Sequence, residues 1–163
     1  MESQNEMNQN GKAKKHYIKF VTMLLLSFVA MYITMYLNTY DIEHVYFSLT
    51  RFYMSCLGIS VMALIMLLSM KNMYTDKKKN TAIIFGSILL FASSLTMVRT
   101  QTPIGDVLYL KAMIPHHSIA ILTSKRAAIK DPEVRKMADG TIKAQEKEIA
   151  EMKACIKRLE SEN

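Results

Sequence analysis

The sequence predicts an all-α protein with three transmembrane helices followed by an extracytoplasmic antiparallel helical hairpin. Three runs, at about residues 20–37, 52–70 and 81–98, are almost wholly apolar and carry no charged side chain. A helix of about 18 residues rises about 27 Å, which approaches the hydrocarbon thickness of a bilayer. A soluble core helix of that length would show a polar stripe, and these runs show none. Residues 99–163 are instead polar and charged.

The first 16 residues are polar and include Lys12, Lys14 and Lys15. Because nothing in them can form a core, residues 1–16 are predicted to be a disordered cytoplasmic segment preceding a transmembrane region over residues 17–98. The first apolar run is longer than the apolar part of a signal peptide, and no A-x-A site follows it, so we expect an uncleaved anchor.

Charge in the connections between the runs predicts their orientation. Lysines lie in the N-terminal segment and in the connection over residues 71–79, whereas the connection over residues 38–51 has Asp41 and Glu43 and a single strong base. The positive-inside rule then places the N-terminus in the cytoplasm of a multi-pass inner-membrane protein, and residues 99–163 on the periplasmic or extracellular side. His44, in the same short outer connection, is expected in a solvated loop; a weak second metal site or contact with the C-terminal domain is the alternative.

Two helix starts are visible in the C-terminal domain. Thr102-Pro103 resembles an N-cap followed by proline in the first turn, which predicts a helix to about Lys130. Asp131-Pro132-Glu133 repeats this signal and predicts a second helix to about Glu160. The short joint indicates an antiparallel hairpin. Pro115, inside the first helix, predicts a kink or a break just before two adjacent histidines.

Apolar residues recur every seven positions in the second helix, which predicts a packing seam. The two rows of this seam are Ala138, Gln145, Met152 and Leu159, and Ile142, Ile149 and Ile156. In the first helix, Leu110, His117 and Ser124 form one row, with Met113, Ala120 and Ile121 beside it. Because a two-helix unit buries little core, we expect it to form a homo-oligomer or to dock on its own membrane spans.

Adjacent imidazoles at His116 and His117 are the main candidate for chemistry. Met113 lies one turn before them on the same face of a helix. The seam of the second helix offers facing groups, namely Gln145, Glu148 and Met152. Imidazole with thioether suits copper, whereas imidazole with carboxylate also suits zinc or iron. Spacing leaves a second interpretation open, in which one histidine belongs to the core and the other is exposed.

These residues carry a resemblance to a known family. The pattern Met-x-x-His-His-x-x-Ala-Ile, at residues 113–121, and the pattern Gln-x-x-Glu-Ile-x-x-Met, at residues 145–152, resemble the domain-of-unknown-function 305 (DUF305) family over about residues 104–157. The upstream apolar runs resemble a membrane-anchored branch of it. The resemblance implies a ferritin-like half-bundle related to CopM-type copper-binding proteins. This chain has Ile119 and Thr123 where many members have glycine and methionine.

Several functions are disfavoured. The net charge is +7, but the lysines lie mainly beside the apolar runs and no aromatic-basic motif occurs, so no nucleic-acid binding is expected. No GxSxG, HExxH or phosphate-binding glycine loop is present, so we do not expect an enzyme. The apolar runs carry no charge that could relay an ion. Cys56 lies in an apolar run, so a disulfide with Cys155 is not expected.

Two functions therefore remain. The first is a membrane-anchored metal-binding protein, for copper by preference, that serves in sensing, buffering or resistance. Its ligands or ligand-orienting residues would be His116, His117, Met113, Met152, Glu148 and Gln145. The alternative is a non-catalytic oligomerisation module of the membrane, in which the histidines form a structural polar layer that fixes the register of the helices.

Overall fold

The computed structural model describes residues 2–162, and their side chains from Lys15 onward. Met1 and Asn163, the end residues of the predicted segments 1–16 and 99–163, lie outside this range. All regular structure in residues 2–162 is helical, which confirms the all-α class. The helices are α1 (Glu2–Thr34), α2 (Leu49–Ser69), α3 (Lys77–Thr100), α4 (Asp106–Arg126) and α5 (Pro132–Ser161), with a short 3-10 helix (Ile42–His44) between α1 and α2.

Three helices are long and apolar enough to cross a membrane: Lys15–Thr34, Leu49–Ser69 and Lys77–Thr100. They coincide with the three predicted runs, although the first ends at Thr34 and is followed by turns. The backbone helix α1 begins at Glu2, where the sequence predicts disorder. Glutamate, glutamine, methionine, lysine and alanine in this segment all favour helix, so an apolar helix can propagate into it.

The chain divides into two compact units. The first unit contains residues 1–32 and Phe52–Thr100, and therefore most of the three apolar helices. The Tyr17 hydroxyl donates to Asn80 Oδ1 at 2.7 Å and accepts from the Asp76 backbone N–H at 3.2 Å. The ring of Tyr17 also packs against that of Tyr74, 5.3 Å between centroids. These contacts fix the middle of α1 to the end of the α2–α3 connection and the first turn of α3.

The second unit contains Ile33–Arg51 and residues 101–163, and thus the α1–α2 connection together with α4 and α5. Helices α4 and α5 pack on each other over an apolar cluster of Ile114, Ile121, Ile149, Met152 and Ile156. Charged pairs flank this cluster on its exposed sides. Lys111 Nζ lies 2.6 Å from Glu160 Oε1, and Lys125 Nζ lies 2.9 Å from Glu146 Oε1. The early part of α4 therefore meets the end of α5.

One of the two predicted helix starts is confirmed. The Asp131 side chain accepts from the backbone N–H groups of Glu133 and Val134, both at 2.9 Å, and so caps α5. The other prediction is wrong, because α4 begins at Asp106 and not after Thr102. Residues 101–104 instead close a turn in which the Ile104 N–H donates to the carbonyl of residue 101 at 2.8 Å. Pro103 belongs to that turn.

Pro115 does not break the first helix of this unit. Helix α4 is continuous from Asp106 to Arg126, and Pro115 is fully buried within it. Pro115 therefore removes one backbone donor from the helix without ending it. The spacing of Met113 and the two histidines on one helix is therefore preserved.

The buried faces of α4 and α5 agree with the predicted seam to different degrees. Ala138, Ile149, Met152 and Ile156 are buried on α5, as the heptad pattern predicts. On α4 the most buried side chains are Ile114, Pro115, Ser118 and Ile121. The predicted row of Leu110, His117 and Ser124 is only partly buried.

Candidate metal centre on α4 and α5

His117 lies between α4 and α5. Its side chain is 15% exposed, and its Nδ1 atom lies 3.0 Å from Glu148 Oε2. The approach is too oblique for a hydrogen bond, so the buried Nδ1 has no hydrogen-bond partner among the described residues. Burial lowers the pKa of His117 and neighbouring His116 lowers it further, while the Glu148 carboxylate opposes the shift. The pKa shift favours the neutral imidazole, which is the form that binds metals.

His116 points to a different environment. Its side chain is exposed, and together with Met113 it lines a cavity of about 240 Å³ that is also bordered by Arg51 and Tyr109. The rings of His116 and His117 are 5.9 Å apart between centroids and tilted by 58°. The structure therefore brings His116 and Met113 together on one side, and His117 and Glu148 on the other.

The two remaining predicted site residues lie deeper or further along α5. Met152 is 9% exposed and belongs to the apolar cluster between α4 and α5, against which Met113 also packs. Gln145 is half-buried, three residues before Glu148 and therefore on the same side of α5. Met152 is therefore a core residue of the α4–α5 pair. Gln145 carries an amide on the same side of α5 as the Glu148 carboxylate.

The donor set fits a metal ion in part. Across the side chains described from Lys15 onward, no group of three or more His, Cys, Asp or Glu residues lies close enough together to hold a metal ion. Two imidazoles, one carboxylate and one thioether nevertheless lie within a single turn of α4 and the facing turn of α5. The orphaned Nδ1 of His117 is the atom in this set that most lacks a partner, and such atoms are rare in folded proteins.

The α1–α2 connection contacts α4 directly beside the histidine pair. The fully buried Ser118 Oγ accepts from the Tyr40 backbone N–H at 2.8 Å and lies 3.0 Å from His44 Nδ1. The expectation of a solvated loop agrees with the exposed side chains of Asp41 and Glu43. It is wrong for His44, whose contact with Ser118 is the alternative, a contact with the C-terminal domain. Sequence reasoning missed Ser118, although a lone hydroxyl on an otherwise apolar helix face is a signal for a buried partner.

The charges around His44 come from both elements. Burial lowers the pKa of His44, and Lys153 on α5 lowers it further, while Asp41 and Glu43 raise it. Lys153 Nζ lies 3.6 Å from Glu43 Oε2, which adds a weak ion pair between the connection and α5. The Nδ1 atom of a neutral His44 can accept a hydrogen bond from the Ser118 hydroxyl, while the Ser118 oxygen accepts from the Tyr40 N–H. Both contacts of Ser118 are therefore hydrogen bonds at neutral pH.

The two cysteines are free, as predicted. Cys56 is buried in α2, and Cys155 is half-buried on α5. Neither thiol belongs to the group of residues around the two histidines.

The fold thus defines a helical protein with three helices able to span a bilayer and a polar helix pair that carries two adjacent histidines. Residues 91–156 match the family model described as "Domain of unknown function (DUF305)". The chain is also 34% identical over 144 residues to "Uncharacterized protein L153" of Acanthamoeba polyphaga mimivirus, an alignment that covers 86% of this chain and 93% of that relative. The chain therefore belongs to the DUF305 family. No solved structure matches it.

The family match begins inside α3 and ends in α5. It includes His116, His117 and their neighbours on both helices. The match begins at residue 91, whereas the resemblance noted in the sequence begins at about residue 104. The last part of the apolar helix α3 therefore belongs to the region that matches the family model.

Proposed function

We propose that this protein binds a metal ion, copper by preference, through His116 and His117 on α4. The observation that carries the proposal is the buried Nδ1 of His117, which has no hydrogen-bond partner among the side chains described from Lys15 onward and lies 3.0 Å from the Glu148 carboxylate. A small rotation of the ring would let Nδ1–H donate to this carboxylate, which would orient the imidazole and leave Nε2 to bind a metal. The lowered pKa of His117 favours the neutral ring near neutral pH.

The residues differ in the part they would take. His116 and His117 would be the principal ligands, and Met113, which shares a cavity with His116, would supply a soft thioether. Glu148 would orient His117, with Gln145 as a further orienting group. Met152 is buried in the apolar cluster and could reach an ion only if the cluster rearranged. Zinc or iron would use the imidazoles with the carboxylate. The bound ion supplies no chemical step here; the protein holds it for sensing, buffering or resistance.

The proposed setting is a multi-pass inner-membrane protein with its N-terminus in the cytoplasm. The α1–α2 connection and residues 101–162 belong to one compact unit, which supports this topology because three crossings would put both on the same side of the membrane. The contacts of Tyr17 with Asp76 and Asn80 join two lysine-bearing segments, which the positive-inside rule would place together in the cytoplasm. In this topology α4 and α5 form an extracytoplasmic antiparallel hairpin of ferritin-like type, in a membrane-anchored branch related to CopM-type proteins. The ion pairs Lys111–Glu160 and Lys125–Glu146 support the antiparallel arrangement of α4 and α5.

The test uses the full-length protein in detergent, because residues of the α1–α2 connection belong to the same unit as the histidines. Cu(I) is titrated against a chromophoric chelator under anaerobic conditions. We expect His116→Ala/His117→Ala to weaken binding by at least about 100-fold, and Glu148→Gln by about 10- to 100-fold, the range for residues that orient a ligand. Unchanged Cu(I) affinity in the double variant would refute the proposal.

Matched substitutions identify the ligands. Met113→Leu should weaken Cu(I) binding and leave Zn(II) binding unchanged, because only Cu(I) favours a thioether. Met137→Leu is the control, since Met137 is an exposed methionine on α5. His16→Ala, which removes a histidine of the first unit, controls for nonspecific loss of imidazole. Equal effects of Met113→Leu and Met137→Leu would exclude Met113 as a ligand.

The second candidate is the oligomerisation module of the membrane. It is favoured by the absence, within residues 15–162, of three grouped His, Cys, Asp or Glu residues in one chain. In this alternative the histidine pair fixes the register between copies. Light scattering of the same double variant separates the two functions: assembly lost without any added metal would favour the module, and assembly retained with metal affinity lost would favour metal binding.

A further inference from the structure

A groove of about 600 Å³ lies in the second unit and shares no lining residue with the cavity that His116 lines. It is formed by residues 45–47 of the α1–α2 connection together with side chains of α4 and α5. Three lysines line it, Lys111 on α4 and Lys153 and Lys157 on α5. None of these residues belongs to the proposed metal site.

The groove has an excess of positive charge. Its lining contains three ammonium groups and one carboxylate, that of Glu160, which lies 2.6 Å from Lys111 Nζ. Lys153 Nζ pairs with Glu43 Oε2, which does not line the groove, at the longer distance of 3.6 Å. Lys157 is exposed. The net charge of the lining therefore favours an anionic ligand.

The same groove has an apolar wall. Ile156 is buried, and Tyr46 packs against the apolar cluster between α4 and α5. Val45 and Phe47 line the groove while remaining 41% and 54% exposed. Ammonium groups beside exposed apolar side chains match a ligand that is anionic at one end and apolar at the other.

Connectivity places this wall at the end of a candidate membrane span. Phe47 precedes by two residues Leu49, where α2 begins. Two extended residues reach at most about 7 Å, so the groove opens close to the level at which α2 would enter the headgroup region. A soluble anion would use the lysines but not the apolar wall, whereas a phospholipid would use both.

We propose that this groove binds the phosphate of an anionic phospholipid from the leaflet on its own side of the membrane. The lysines contact the headgroup, and Val45 and Phe47 contact the glycerol and the first part of the acyl chains. The inference rests on the proposed crossing of the membrane by α2, and it is independent of metal binding.

The test is native mass spectrometry of the metal-free, full-length protein in detergent, with phosphatidylglycerol or phosphatidylcholine of identical acyl chains added. We expect retention of phosphatidylglycerol in preference to phosphatidylcholine. Lys157→Gln should weaken this binding about fivefold, the effect of one basic residue at an anionic surface. Lys111→Gln/Lys153→Gln/Lys157→Gln should weaken it by more than about tenfold.

The control removes the same charge from exposed lysines of α5 outside the groove, in the variant Lys136→Gln/Lys143→Gln/Lys147→Gln. It should retain phosphatidylglycerol like the unaltered protein. Equal losses in both triple variants would overturn the proposal, because binding would then follow net charge alone. Lys157→Gln leaves the pairs Lys111–Glu160 and Lys153–Glu43 in place, so it tests the groove even if the triple variant misfolds.

Two further measurements test whether the ligand is a lipid or a soluble phosphate, and whether lipid binding depends on the two histidines. Glycerol 3-phosphate at the same concentration should not displace the lipid; displacement would identify a soluble phosphate as the ligand and overturn the lipid assignment. The variant His116→Ala/His117→Ala should bind phosphatidylglycerol normally, and a loss there would show that the groove is not an independent site.

Discussion

Replacing Ser118 by alanine should release the α1–α2 connection from α4. The Ser118 side chain is fully buried and contacts two groups of that connection, the Tyr40 N–H at 2.8 Å and His44 Nδ1 at 3.0 Å. Each hydrogen bond contributes a net 0.5–1.5 kcal/mol as an order of magnitude, so the loss of both costs about 1–3 kcal/mol. Alanine removes only one oxygen, so little cavity forms. Its higher helix propensity recovers a few tenths of a kcal/mol.

Amide hydrogen exchange of the full-length protein in detergent measures this loss locally. Since about 1.4 kcal/mol is a factor of ten, exchange in the peptide that covers residues 36–48 should accelerate by about 5- to 150-fold. Exchange in the middle of α5 should not change, because its core contacts remain. Ser124→Ala is the control: it makes the same chemical change on the same helix, at a half-buried position.

Unchanged exchange over residues 36–48 in Ser118→Ala would show that Ser118 does not hold the connection. So would equal acceleration in Ser124→Ala, because the effect would then come from α4 as a whole. Faster exchange throughout α4 and α5 would also contradict the prediction, since the buried members of the apolar cluster between them all come from α4 and α5.

Three other predictions follow from the same unit. Because the pKa of His44 is lowered in the folded chain, the unfolded chain binds more protons below about pH 6.5. The attachment of the connection to α4 should therefore be complete above that pH and weaken as the pH falls towards the lowered pKa. Exchange over residues 36–48, corrected for intrinsic rates, should be faster at pH 5.5 than at pH 7.5. Asp131→Ala should cost about 1 kcal/mol at the start of α5 and accelerate exchange of the first-turn amides about fivefold, whereas Asp131→Asn should retain most of the cap. Ile121→Ala removes a fully buried side chain and should lower the free energy of unfolding by about 2–4 kcal/mol in a denaturant titration, with Ile121→Val costing about 1 kcal/mol.

The candidate site was predictable in its residues but not in its arrangement. Sequence spacing groups His116, His117 and Met113 on one helix, and the structure preserves that helix across Pro115. Adjacent residues on a helix are rotated by about 100°, however, so the two imidazoles face different surroundings. Which of them meets Glu148 depends on how α5 packs against α4, and that is a property of the tertiary structure.

The buried face of α4 illustrates the same limit. A heptad pattern predicts the row through Leu110 and His117, but burial centres on Ile114, Ser118 and Ile121. Helix α5 packs on one side of α4, and the α1–α2 connection contacts another side through Ser118. The heptad pattern assumes that α4 packs against one helix, so it cannot predict a buried face that contacts both α5 and the α1–α2 connection.

Features that depend on local composition follow from the amino-acid sequence alone. The long uncharged runs specify three helices able to cross a bilayer, because no other regular structure of that length satisfies the backbone within an apolar segment. Asp131 followed by Pro132 specifies the start of α5, since a capping carboxylate accepts from backbone N–H groups two and three residues further on, as Asp131 does from Glu133 and Val134. Tertiary structure decided the contacts between residues far apart in the chain: His44 with Ser118, His117 with Glu148, and the three lysines around the groove. These depend on the packing of α4, α5 and the α1–α2 connection, which no local pattern encodes.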